Sequence, residues 1–132
     1  MIFSVLLVLN LLATGFLAVR VLRSDDSNIQ YTLYIGLNDK DSYEQFIPTD
    51  EAKQLTDAIC AKYASGFTIE DAIGAWSDEK GVVTHENTIV CYLNEIDEEN
   101  VHRICEELRQ TLNQNTILIR KEYAQREFYA GE

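Results

Sequence analysis

The sequence predicts an α+β domain: a four-stranded antiparallel sheet with two helices on one face, preceded by a transmembrane helix. Three observations carry this expectation. Residues 29–132 alternate period-two and helical apolar patterns in the order strand, helix, strand, strand, helix, strand. Short polar segments separate these patterns, and the one proline, Pro48, falls in such a segment. Ahead of them lies an uncharged apolar run, Ile2–Val19.

The apolar run comes first in the chain. Of the 132 residues, 46% are apolar, and 17 of these fall within residues 1–22. At 1.5 Å per residue, a helix of about 18–21 residues spans roughly 27–32 Å, the thickness of a bilayer core. Arg20 interrupts the run near its end and is able to snorkel to the interface. No basic residue precedes the run, so it lacks the n-region of a cleaved signal peptide and reads as an uncleaved anchor. The domain division is therefore an anchor at 1–23, a short linker at 24–28 and a soluble domain at 29–132. Arg20 and Arg23 on the C-terminal flank place that domain in the cytoplasm by the positive-inside rule. The odd number of cysteines, Cys60, Cys91 and Cys105, suits a reducing compartment.

Tyr31–Leu37 alternates, with Tyr31, Leu33, Ile35 and Leu37 on one face and Thr32, Tyr34 and Gly36 on the other. Asn38–Pro48 is a polar loop. Thr49 is then placed to cap a helix, with Asp50 and Glu51 in its first turn, a stripe of Ala52, Leu55, Ile59 and Tyr63, and Gly66 as its terminator. Phe67–Trp76 is the second strand. Asp71 breaks its pattern, and Gly74 marks a bulge or a close backbone approach. A turn at Ser77–Gly81 leads to the third strand, Val83–Leu93, with Ile89, Cys91 and Leu93 facing one way and Val90 and Tyr92 the other. Asp97 caps the second helix, whose stripe of Val101, Ile104, Cys105, Leu108 and Leu112 is the clearest period in the chain. Thr116–Tyr123 is the fourth strand, followed by a tail holding Phe128 and Tyr129.

This order is the ferredoxin-like split βαβ arrangement, and right-handed crossovers put both helices on one face. Residues 29–132 resemble a family of uncharacterised bacterial domains of this topology. The likeness rests on the opening strand YTLYIGL, on GFTIEDAIGAWSDEKG and on ENTIVCYL ahead of the second helix. The family has no established activity, so the resemblance implies a fold and no mechanism. More distantly, the chain is similar to the trimeric PII signalling and divalent-cation tolerance proteins. Many PII proteins carry a long loop between strands two and three. The short turn at Ser77–Gly81 replaces it here, a departure that speaks against nucleotide sensing of that type.

Charge excludes one class of partner. The net charge is −11, and residues 28–132 carry 9 basic against 20 acidic side chains, which disfavours nucleic acid. No dinucleotide fingerprint, Walker sequence or nucleophile elbow occurs. The residues with which a catalytic cleft could be built are His85, Tyr34 and Trp76, with Glu86 and Asn87 beside the histidine; the plainer reading is a solvated polar hairpin. His102 and Cys105 share a helix face, but Cys105 belongs to the apolar stripe and reads as a structural thiol. The acidic loop at Asp39, Asp41 and Glu44 lacks the glycine and ligand spacing of a calcium site, and the acidic run Glu95–Glu99 is explained by capping and the helix dipole. No metal and no cofactor are expected.

The sheet face away from the helices is the most informative feature. It should carry Tyr34, Val90, Tyr92, Leu118 and Trp76, large groups for a face that ought to be polar. Three covers are open: another copy of the chain, the tail around Phe128 and Tyr129, or a ligand. The expected function is a single-pass, membrane-anchored domain that acts by binding or assembly, through Ile2–Leu22 in the bilayer and the non-helical sheet face between copies. The alternatives are a small enzyme of dimeric α/β-barrel type with a cleft near His85, or a metal or small-ligand sensor of PII-like topology.

Overall fold

The computed structural model describes residues 28–131. The order is β1 (Ile29–Gly36), α1 (Thr49–Tyr63), β2 (Gly66–Ser77), β3 (Val83–Asn94), α2 (Glu98–Thr111) and β4 (Leu118–Tyr123). The strands form one antiparallel sheet in the order β2-β3-β1-β4, the ferredoxin-like topology expected. The expected anchor at 1–23 and all but the last residue of the linker lie outside the described residues. Among the described residues, no helix is long and apolar enough to cross a membrane.

The two central strands hold the core. β1 pairs with β3 so that Tyr31, Leu33 and Ile35 lie opposite Leu93, Cys91 and Ile89, all six buried on the helix side. α2 closes over them with Val101, Ile104 and Leu108. α1 contributes Ala52, Thr56, Ile59 and Cys60. Each fully buried Leu or Ile contributes about 1.5–3 kcal/mol relative to exposure, so this layer dominates the favourable side of folding. The Thr56 hydroxyl is tolerated in it because it donates to the Ala52 carbonyl at 2.8 Å.

Asp97 caps α2 as expected, its side chain accepting from the Asn100 amide at 2.7 Å. The start of α1 differs. Pro48, extended at φ −57 and ψ 146, is the cap residue, and Thr49 is already helical. Proline carries no donor to lose there, and the Thr49 hydroxyl instead lies 3.2 Å from the Gln45 amide. Gly66 does not end this helix. The helix closes at Ala64 in an extended conformation, and Gly66 opens β2 with no positive φ. Asp71, the break in the strand pattern, reaches Lys53 of α1 at 3.2 Å. It is an ion pair at the edge of the core rather than an interruption of the strand.

β2 and β3 outrun the sheet. They pair without a bulge from Gly66↔Asn94 to Ser77↔Val83, whereas β1 covers β3 only to Gly36↔Thr88. Residues 73–77 and 83–87 therefore project as a two-stranded arm. Its turn is set by Asp78, whose carboxylate accepts from the Lys80 and Val82 amides at 2.8 and 2.9 Å, and by Gly81 at φ 76. Ile73, Val82 and Val83 are exposed on this arm.

Surface carboxylates tie the helices to their surroundings. Glu107 is held below its ordinary 4.5 by the Lys62 ammonium and the Tyr63 hydroxyl, both on α1. Glu98 is lowered by Lys121 of β4. A carboxylate depressed in the folded state adds stability that is complete above its unfolded pKa and is lost as pH falls through the folded value. The urea midpoint should therefore be flat near neutral pH and decline once pH drops below about 4.5. A midpoint that rose through that window would contradict these pairings.

Candidate functional site

On the free face of the sheet, three segments converge at one end. β1 delivers Tyr34 and Gly36, the β2–β3 arm delivers Gly74, Trp76 and Glu86, β3 adds Thr88 at the base of the arm, and the chain into β4 delivers Gln114, Thr116 and Leu118. The loop Asn38–Tyr43 walls the remaining side. The cleft so enclosed measures about 440 Å³, within the range of small-molecule sites.

Side-chain alternation decides which residues enter it. Glu86 lies opposite Gly74, Trp76 opposite Thr84, and Tyr34 opposite Val90, and all of these share the free face. His85 lies opposite Ala75 and points to the other side of the arm, where it is exposed. The structure thus brings Tyr34 and Trp76 to one cleft and leaves His85 outside it.

Two glycines give the cleft its depth. A Cβ on Gly36 would stand 2.5–2.6 Å from the Glu86 carboxylate, and one on Gly74 would stand 2.5 Å from the Thr88 hydroxyl. Gly74 therefore marks a close approach, not a bulge. The Glu86 carboxylate accepts from the Asn38 amide at 3.0 Å. Among the described residues, no Lys, Arg or His side chain pairs with it.

The loop wall is fastened by Asp39. Its carboxylate takes the Asn113 side-chain amide and the Asp41 and Ser42 backbone amides, the last two at 3.0 and 3.2 Å. The Asn113 bond, first among these, holds the carboxyl below its ordinary 3.8. Gln114 binds the same loop, donating to the Asn38 carbonyl at 2.8 Å. Asp39 is thus a structural tie, which accounts for an acidic loop without a ligand. Among the described residues no group of three or more His, Cys, Asp or Glu is placed to hold a metal ion. The aromatic wall is Trp76 with Tyr43, ring centroids 6.3 Å apart and planes tilted by 40°.

The rest of the free face is a layer of long side chains over a small interior. Val90 and Thr32 are 3% exposed although no helix covers them. Tyr34 and Glu70 flank Val90 in register, and the Tyr92 hydroxyl donates to Glu70. Arg120 lies against Tyr34 and Glu122. Leu118 stays 64% exposed, and Phe128 and Tyr129 of the tail are 84% and 81% exposed. The tail therefore does not bury its aromatics on this face.

The cysteines belong to the core. Cys60 and Cys91 are buried with their sulfurs 3.6 Å apart. Contact with Cys91 and burial push the Cys60 thiol up, and burial raises Cys105 to about 11. Such thiols are poor nucleophiles at neutral pH. His102 sits on the outer face of α2, 3.8 Å from Glu98.

The fold and the cleft define a small α+β domain of ferredoxin-like topology with an open site at one end of its sheet. Residues 30–128 match the family described as Protein of unknown function (DUF3574), and the chain belongs to it. A comparison with curated proteins finds no match. Among solved structures, a phage SAM lyase in complex with S-methyl-5'-thioadenosine is 19% identical at a TM-score of 0.53, over 72% of this chain and 80% of that one. The periplasmic divalent cation tolerance protein CutA from Archaeoglobus fulgidus is 14% identical at 0.51, over 75% and 87%. The B. subtilis GlnK–ATP complex is 11% identical at 0.40, over 72% and 84%. At these identities the likeness to the SAM lyase and to CutA is one of fold alone.

The glycine contacts generate a paired test. Gly36→Ala must displace Glu86 from the Asn38 amide and should cost about 1 kcal/mol in urea unfolding. Gly66→Ala meets no atom within 4 Å and should be neutral or stabilise by about 0.4–1 kcal/mol. Equal effects from the two would show that Gly36 has no special packing role.

Proposed function

We infer that this chain is a binding and assembly domain, held at a membrane by residues 1–23 and working through the free face of its sheet. The observation that carries this reading is the apolar surface left uncovered there: Leu118 is 64% exposed and Trp76 41%. The projecting arm adds Ile73, Val82 and Val83 on its sides and turn. By alternation Ile73 and Val83 share the other side of the arm with His85, so a second copy laid against the free face would cover Leu118 and Trp76. The named surface is Tyr34, Val90, Tyr92 and Leu118. Val90 is buried, and Tyr34 and Tyr92 are half-buried and already engaged with Arg120 and Glu70, so Leu118 and Trp76 supply the apolar contact.

The buried core of the described residues runs from Tyr31 to Leu112, with Ile29, Ile117 and Ile119 packed against it, so the test is made on residues 28–132, with circular dichroism to establish that the fragment is folded. Sedimentation velocity on that fragment should show self-association that Leu118→Asp weakens at least about tenfold. A monomer at high concentration with wild-type sequence would remove the assembly reading.

The anchor follows from the apolar run Ile2–Val19, and the cytoplasmic placement from Arg20 and Arg23. The two are tested together in intact cells. A cysteine introduced at Glu132 should resist a membrane-impermeant maleimide until the cells are opened. Labelling from outside would reverse the orientation, and recovery of the chain in the soluble fraction would remove the anchor.

The dimeric-barrel enzyme loses support from the position of His85, which faces away from the cleft. The small-ligand alternative is favoured by one specific observation, the open cleft bordered by Glu86, Gln114 and Trp76.

A further inference from the structure

We propose that the cleft binds a small organic cation, its charge on Glu86 and its apolar part against Trp76 and Tyr43. The inference stands on the cleft alone and does not require assembly.

Glu86 is the first reason. Its carboxylate is set in a recess that glycine alone leaves open, since a side chain at residue 36 would occupy its place. One oxygen takes the Asn38 amide at 3.0 Å. The arm backbone and Gly36 fix its position. A half-buried carboxylate with one hydrogen bond and no paired cation retains acceptor capacity toward the cleft.

Gln114 is the second. It is only 8% exposed and lines the same space. Its amide nitrogen is spent on the Asn38 and Leu112 carbonyls at 2.8 and 3.1 Å. Its carbonyl oxygen takes no hydrogen bond from the described protein. Glu86 therefore offers unspent acceptor capacity in the cleft, and Gln114 adds an oxygen without a hydrogen bond among the lining residues.

The third reason is the aromatic wall. Trp76 and Tyr43 meet at 40°, so their faces are not stacked shut, and both remain open to solvent. Aromatic faces attract cations and planar rings alike, the cation gaining more as water is excluded. Lys40 also lines the cleft, but its ammonium pairs with neither Glu86 nor Asp39. The net charge of −11 adds a long-range field that draws cations in.

The chain contains a single tryptophan, Trp76, so its emission reports this cleft without labelling. Full-length protein in detergent is titrated with phenethylammonium, with neutral 2-phenylethanol as the uncharged match and tetramethylammonium as the charge without a ring. Phenethylammonium should give a saturable change in emission, and 2-phenylethanol should bind at least about tenfold more weakly. Glu86→Gln keeps the shape, removes the charge and should weaken phenethylammonium by about tenfold. Its circular dichroism and melting curve establish that it is folded. Should that variant unfold, Tyr43→Ala in the exposed loop takes its place, and loss of phenethylammonium affinity is again the supporting result. No saturable response to phenethylammonium, equal binding of the alcohol, or undiminished affinity in the folded variants would each overturn the proposal.

Discussion

The antiparallel register between β1 and β3 is the constraint on which core and cleft both depend. It sets Leu33 on Cys91 and Ile35 on Ile89, filling the helix side with side chains that have no other place to go. Because side chains alternate, a slip of one residue would turn all of them to the opposite face. The same register ends at Gly36↔Thr88, so β3 runs on past the end of β1. Glu86 thereby reaches across the last residue of β1 instead of pairing beside it. The Leu37 amide closes the sheet on the Asn87 carbonyl at 3.0 Å. One pairing thus secures the hydrophobic layer and positions the carboxylate of the cleft.

Electrostatics plays a different part on each surface. On the helices, carboxylates are matched by near neighbours, as in Glu99 with Arg103 and Glu106 with Arg109. These are exposed pairs, and each stabilises only slightly because water screens it. Their more certain effect is to spend the available cations. With 11 basic residues against 22 acidic, pairing on the helices leaves few to meet the remaining carboxylates. Glu70 is met by the Tyr92 hydroxyl, and Asp39 by amides. Glu86 has one backbone amide. Its isolation follows from the composition of the chain as well as from its local setting.

The sequence made some of this legible for physical reasons. α2 was readable because its stripe, its Asp97 cap and its acidic first turn all agree, and local agreement of that kind specifies a helix. The ends of α1 were less readable, because Pro48 and Thr49 are both acceptable at a helix start and only the Pro48 ψ of 146 separates them. Gly74 was legible as a close approach, but its partner Thr88 was not, since that contact depends on the β2–β3 register. The cleft carboxylate left a usable signal. Glu86 lies four residues before Val90 and must share its face, while His85 shares the face of Ile89. What alternation could not disclose is that the arm would outrun β1, or that the loop after β1 would be drawn over Glu86 by Asn113 and Gln114. Those contacts join residues more than seventy positions apart.

Leu118 connects the two uses of the free face. It is the most exposed apolar side chain on the sheet itself after Ile73 and Tyr123, and it also lines the cleft. A second copy that buried Leu118 would necessarily border the cleft, narrowing its mouth or adding a wall to it. Any ligand seated between Trp76 and Glu86 would then meet one state of assembly differently from the other, and a ligand that distinguishes two states shifts their balance by that difference. Linkage makes the effect reciprocal, so assembly would change ligand affinity by the same factor that ligand changes assembly. The coupling needs no moving part. It follows from one leucine standing at the edge of both surfaces, a placement set by the pairing of Leu118 with Tyr34 on the other edge of β1.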